Sequence, residues 1–204
     1  MGLYNGMNIT FGHAIMRDPL PGTPTHPVNQ HFSVPTEVLI PGPIATAAAL
    51  SHPRRVVYRV PANCRAAAHA LSHPGTTLSG FGALSLYGLP TLVDTCDTVL
   101  INPKVGRKVL GTSTQPGMVR GSPKPQDVWR VFFNGEVVQL ASPALATIQA
   151  LKAIRRGEAV WEVETVEDDP VFVRAVQLVD AARRFLAISP ESLILAGHKL
   201  IDDR

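Results

Sequence analysis

The sequence predicts an α+β fold. A small antiparallel or mixed sheet carries packed helices, a helical segment closes the chain, and an extended proline-rich arm opens it. Three observations lead there. Residues 142–157 and 169–200 carry the punctuation of complete helices. Residues 96–102, 128–134 and 136–140 read as strands, and the last two flank Asn134-Gly135, a strong hairpin-turn pair. Residues 17–43 hold seven prolines and two glycines, which blocks helix interiors and central strands. The expected division is an arm over 1–43 and one domain over 44–204, mainly helical from 142 onward.

The elements follow in order. The arm has room for a short edge strand at "EVLI", residues 37–40. "IATAAALS" (44–51) is a short Ala-rich helix stopped by Pro53, and "CRAAAHALS" (64–72) is another, stopped by Pro74. Both end in "ALSHP", an echo of helix endings rather than a tandem repeat. Between them "RRVVYRV" (54–60) alternates and is β-branched, so it reads as a strand. "SGFGALSLYG" (79–88) reads as a helix capped by Thr77 or Ser79 and closed by Gly88, with Leu78, Phe81 and Leu84 inward. Gly80 and Gly82 weaken it by about 1 kcal/mol each relative to Ala, which points to close backbone packing. "GMVRG" (117–121) is a short strand inside a Gly/Pro/Lys-rich loop. In 142–157 Ser142 caps, Pro143 takes the first helical position, and Arg155, Arg156 and Gly157 end the helix. Asp169 and Pro170 open the next helix, whose expected inner stripe is Val171, Ala175, Leu178, Ala182 and Phe185. Ser189 and Pro190 open the last.

The 204 residues are 45% hydrophobic and 17% charged, enough for a core without disulfides. Cys64 and Cys96 are widely spaced and read as reduced, buried thiols. No signal peptide, myristoylation pattern or 18-residue apolar run is present, so a cytoplasmic protein with no membrane partner is expected. The net charge of +3 conceals an asymmetry: residues 56–160 carry a net of +6 and residues 161–204 a net of −4. A basic middle is compatible with nucleic-acid binding. Its candidate phosphate contacts are Arg54, Arg55, Arg59, Lys104, Arg107, Lys108, Arg120, Lys124, Lys152, Arg155 and Arg156.

Catalytic motifs are weak. "LSGFG" lacks the glycine two before Ser79 and the preceding strand of a nucleophile elbow. His69 and His73 stand four apart on a helix, but Pro74 follows and no third ligand has the right spacing. Asp94 and Asp97 are three apart, so successive strand positions would not aim them alike. Glu162 and Glu164 alternate on a possible strand with no lysine after them. No catalytic residue, metal or cofactor is expected.

"VVYRVP", "HPGTTLSGFGALSLYGLP" and "VVQLASPALATIQAL" together resemble the bacterial AbiEi-type antitoxin and transcriptional-regulator family. Ser79, Ala83, Leu84, Leu86, Tyr87, Gly88, Leu89 and Pro90 match one of its signatures, and Ala141, Ser142, Pro143 and Ala146 match another. The resemblance covers about residues 54–187. It implies a regulator of phage-defence type that binds DNA, a cognate toxin or another protein. The family's winged helix-turn-helix has no counterpart in residues 1–53, and its nuclease-like extension has none at the other end.

Three readings follow. The first is a non-catalytic antitoxin-like or transcription-regulator-like protein that binds DNA or a partner protein through a basic central face. The second is a metal-dependent nuclease or nucleotidyltransferase using Asp94 and Asp97 or Glu162 and Glu164. The third is an interaction protein that forms homo-oligomers through the arm.

Overall fold

The computed structural model describes residues 2–4, 7–9, 15–89, 91–133, 135–164 and 169–202. Its chain order is β1 (Gly2–Tyr4), β2 (Met7–Ile9), β3 (Thr25–Pro27), β4 (Ser33–Pro35), α1 (Gly42–Ser51), α2 (Ala62–Ser72), β5 (Thr77–Ser79) and α3 (Gly80–Leu86). It continues through β6 (Val99–Ile101), β7 (Gly117–Val119), β8 (Val128–Phe133), β9 (Glu136–Ala141), α4 (Pro143–Arg155), α5 (Pro170–Leu186) and α6 (Pro190–Asp202). The class is α+β: among the described residues, six α-helices accompany a five-stranded mixed sheet. No described helix is long and apolar enough to cross a membrane.

The sheet runs β7-β6-β5-β9-β8. β5 pairs antiparallel with β6 and parallel with β9; β6 and β7 are parallel; β8 and β9 form an antiparallel hairpin. Gly135 turns that hairpin at φ +82°, and its companion Asn134 lies outside the described residues. Register fixes which side chains share a face. Met118, Leu100, Leu78, Leu140 and Trp129 stand opposite one another across all five strands. Leu78, Leu100 and Leu140 are fully buried in that row. Alternate positions point the other way. Ser79, Val99 and Gly117 form a second row, on the opposite face.

Local grammar accounts for the helices. Ser142 Oγ accepts the Leu145 N–H at 3.4 Å and Asp169 Oδ1 accepts the Val171 N–H at 2.9 Å, each satisfying a free first-turn donor. Gly157 leaves α4 at φ +65°. α3 packs against α2 and α4, and α4 against α5 and α6.

Several expectations are corrected. Residues 54–60 form no strand. The Arg54 and Val56 N–H groups both donate to His52 Nδ1, and the Val60 carbonyl accepts from Arg65. Main-chain groups taken by side chains cannot build a ladder. "EVLI" is a 3₁₀ turn at Thr36–Val38, followed by coil. The arm instead folds into the β3–β4 hairpin and puts Val28, Phe32 and Val34 into the same core as Leu78. Ser79 and Leu78 belong to β5, and Ser79 gives α3 no side-chain cap. The strand runs straight into the helix because Gly80 takes φ +50°. Gly82 is there for space: a Cβ would lie 2.9 Å from Leu78 Cδ1 and 3.3 Å from Thr98 Cγ2. On α5 the buried positions are Leu178, Ala181, Ala182 and Leu186, while Phe185 is 56% exposed. Glu162 and Glu164 are exposed in coil.

Candidate functional site

A cavity of about 270 Å³ opens between the Ser79 face of the sheet, α4, and the loop before β7. Its sheet wall is Ser79, Val99, Ile101 and Val119; its helix wall is Gln149, Ala150, Lys152, Ala153 and Arg156. Phe81 and Ala159 add apolar surface. The third wall is Lys108–Gly111. Val109 holds it in place by exchanging backbone hydrogen bonds with Met118 at 2.8 and 2.9 Å. Gly111 is required there, since a Cβ would lie 3.0 Å from the Gly117 nitrogen.

The basic residues divide. Arg54, Lys108 and Arg156 meet at this cavity, with Lys152 beside them. Arg54 donates to Asp97 and to the Gly111 carbonyl, joining the loop to the body. Lys108 pairs with Glu158, and Arg156 Nε lies 3.7 Å from the same carboxylate. Four cations and two carboxylates stand in the lining, and Lys152 has an interaction of its own besides. The others stand elsewhere. Arg55, at φ +56°, donates to the Leu50 carbonyl, and Arg59 Nε donates to the Ile40 carbonyl at 2.9 Å. Lys104, Arg107, Arg120, Lys124 and Arg155 are exposed and do not line the cavity.

Two polar groups line the apolar part. Ser79 is 4% exposed and gives α3 no side-chain cap, and among the described residues no buried side-chain nitrogen or oxygen lacks a partner. Gln149 accepts the Gly80 N–H at 3.2 Å through Oε1, which leaves its amide nitrogen as the free end.

Behind the cavity lies a closed polar network. Asp97 Oδ1 accepts from Tyr58 Oη at 2.6 Å and lies 3.0 Å from His52 Nε2; Oδ2 takes the Arg54 guanidinium. His52 is 3% exposed, and its Nδ1 accepts two backbone N–H groups at 3.2 Å. The ring proton therefore sits on Nε2 and points at Asp97. Both nitrogens are committed, so His52 has no lone pair to offer Ser79 as a base. A strand does precede Ser79, contrary to expectation, but the nucleophile's other requirement is missing. Burial pushes the Asp97 carboxyl up. Hydrogen bonds from His52 and Tyr58 and the Arg54 charge outweigh that, and its pKa ends below the ordinary value.

Asp94 does not join Asp97. Its Oδ1 accepts the Ala62 N–H at 2.7 Å, at the start of α2, and its carbonyl accepts from Arg65. Among the described residues no group of three His, Cys, Asp or Glu side chains converges on one metal position. His73 Nδ1 is bonded to the His69 carbonyl at 2.9 Å, and burial carries the His69 pKa down to about 3.

Sequence reasoning missed Gln149, gave His52 no role beyond a helix ending, and did not place Ser79 in a cavity wall. Part of the signal was present: Gln149, Lys152 and Arg156 have the 3-4 spacing of one helix face. Neither a family model nor a curated protein nor a solved structure matches this chain.

Proposed function

We propose that the protein is a non-catalytic, antitoxin-like regulator that binds nucleic acid through phosphate contacts at the rim of this cavity. One observation carries the reading. Arg54, Lys108, Lys152 and Arg156 come from three separated segments and converge on one opening. Such a rim attracts phosphate and gives binding that weakens steeply with salt.

The state of the carboxylates supports binding over catalysis. Asp97 is occupied by three donors and Asp94 by the start of α2. The stretch that resembles the AbiEi-type signature, 79–90, supplies the β5–α3 corner and one cavity wall. In this reading the signature residues build the site rather than perform chemistry.

Fluorescence anisotropy with labelled single-stranded and duplex oligonucleotides tests it. Binding is expected at about 50 mM salt, with a loss of a hundredfold or more by about 200 mM for several phosphate contacts. No binding of either oligonucleotide at the lower salt would sink the reading.

A further inference from the structure

The five-stranded sheet has two edges, and they differ. At the β7 edge Val109 exchanges backbone hydrogen bonds with Met118, which closes that side. At the other edge, among the described residues, β8 pairs with β9 alone. Its register with β9 runs from Val128 to Phe133 without a bulge, and its six residues include no proline or lysine. Bulges, prolines, lysines and covering segments are what commonly blunt an edge, whose open N–H and C=O groups otherwise template pairing with another strand.

The hairpin decides which groups of β8 are open. Phe133 and Glu136 close its two-residue turn, so that pair and every second pair, Val131–Val138 and Trp129–Leu140, exchange the hydrogen bonds inside it. The N–H and C=O groups of Val128, Arg130 and Phe132 therefore point away from β9. The Val128 N–H is already taken by the Pro125 carbonyl. That leaves Arg130 and Phe132, both exposed, Phe132 by 75%. Their side chains share a face with Val137, the β9 neighbour of Phe132, which is 47% exposed.

We propose that β8 pairs antiparallel with β8 of a second copy of this chain, about a twofold axis at Val131, joining two five-stranded sheets into one. Residue 130 then meets residue 132 of the other copy. Every N–H and C=O group of Arg130 and Phe132 finds a partner, and the spent Val128 N–H is not required. In the neighbouring register residue 130 would meet its own copy, setting two arginines directly opposite, and the Val128 N–H would be needed. In the proposed register each Arg130 guanidinium stands across from a Phe132 ring, a cation–π pair that the symmetry makes twice. On the other face Trp129 stands opposite Phe133 of the second copy, and Val131 opposite itself. This self-complementarity favours a second copy over an unrelated peptide. The pairing does not depend on what the cavity rim binds.

Sedimentation equilibrium on the full chain over about 1–200 µM tests the proposal, a range suited to a small interface. A monomer–dimer equilibrium is expected. Phe132→Lys sets a like charge against Arg130 of the other copy and is expected to weaken the dimer about tenfold or more. Arg130→Glu removes the cation–π pair and is expected to weaken it as well. The double variant Phe132→Lys/Arg130→Glu sets opposite charges at the facing positions and is expected to regain most of what Phe132→Lys loses. Both positions are exposed, so each variant is expected to keep the wild-type circular dichroism spectrum. A chain that stays monomeric throughout overturns the proposal and leaves the edge to a strand of another protein. A dimer indifferent to Phe132→Lys overturns it too, because the arm or another surface then holds the copies together. So does a double variant no tighter than Phe132→Lys alone, because residue 130 then does not face residue 132.

Discussion

The guanidinium carbon of Arg65 lies 3.8 Å from the ring centre of Tyr58. Arg65 is 1% exposed and has no carboxylate within ion-pair distance among the described residues. Its nitrogens instead donate to the carbonyls of Val60, Cys96 and Asp94 at 3.0, 3.0 and 2.7 Å. One side chain thus ties the coil before α2 to the turn before β6. The aromatic face below it supplies the remaining attraction.

Arg65→Met keeps the stem and removes every donor. Two buried carbonyls and a part-buried one lose their partner, so about 3 kcal/mol or more of stability is expected to go. Tyr58→Phe removes one hydrogen bond to a charged acceptor and is expected to cost about 1.5–3 kcal/mol. Urea unfolding midpoints rank the two. If Tyr58→Phe proved the more damaging, Arg65 would not be the anchor of this corner.

The lowered pKa of Asp97 makes a stability claim with a definite sign. The folded carboxyl holds its proton less tightly than the unfolded one, whose pKa is about 3.9. Its contribution is complete above that value and is lost as pH falls through the lower, folded value. Asp97→Asn removes that linkage. The variant is expected to be less stable at pH 7, with the gap to wild type closing below about pH 4. Thermal melts across pH 3–7 read this, and a gap of constant size would contradict the assignment.

The two glycines at the start of α3 are retained for different reasons. Gly82→Ala presses a methyl group onto Leu78 and Thr98 and is expected to cost about 1–3 kcal/mol. Gly80→Ala meets nothing closer than 3.8 Å and is expected to cost about 1–2 kcal/mol for its left-handed backbone alone. Leu78→Val separates them. Its combination with Gly82→Ala is expected to cost less than the sum of the two, and its combination with Gly80→Ala to be additive.

Both thiols should be inert in the folded protein. Burial pushes Cys64 up to about 11 and Cys96 to about 12, and neither is in a disulfide. The thiolate is the reactive form. Labelling with a thiol reagent at pH 8 is expected to be negligible in the native state and complete in denaturant. Rapid native labelling would place one of them at the surface.

Local signals were legible in the sequence, and contacts between distant segments were not. α4 and α5 could be read because Ser142-Pro143, Gly157 and Asp169-Pro170 act within a few residues of themselves. The β8–β9 hairpin could be read for the same reason. Residues 54–60 carry a strand pattern, but His52 and Arg65 take up some of their main-chain groups, and no window of alternation contains that fact. The left-handed Gly80 likewise divides one apparent helix into a strand and a helix. The site was partly legible: Arg54, Lys108 and Arg156 stood out by charge. Their company did not, because the cavity draws on segments from Pro53 to Ala159. Ser79 became a cavity residue only through its register with Val99.

The central claim is that the cavity rim, rather than basic charge in general, holds phosphate. Lys152→Gln/Arg156→Gln tests it against Arg184→Gln, a remote surface arginine paired with Asp180 on α5. Anisotropy titrations of a labelled single-stranded oligonucleotide over about 50–200 mM salt give the slope of log K against log salt. The rim variant is expected to bind more weakly and to lose about 0.7 of slope for each phosphate contact removed, with Arg184→Gln unchanged. Equal losses from both variants, or none from the rim, would contradict the account.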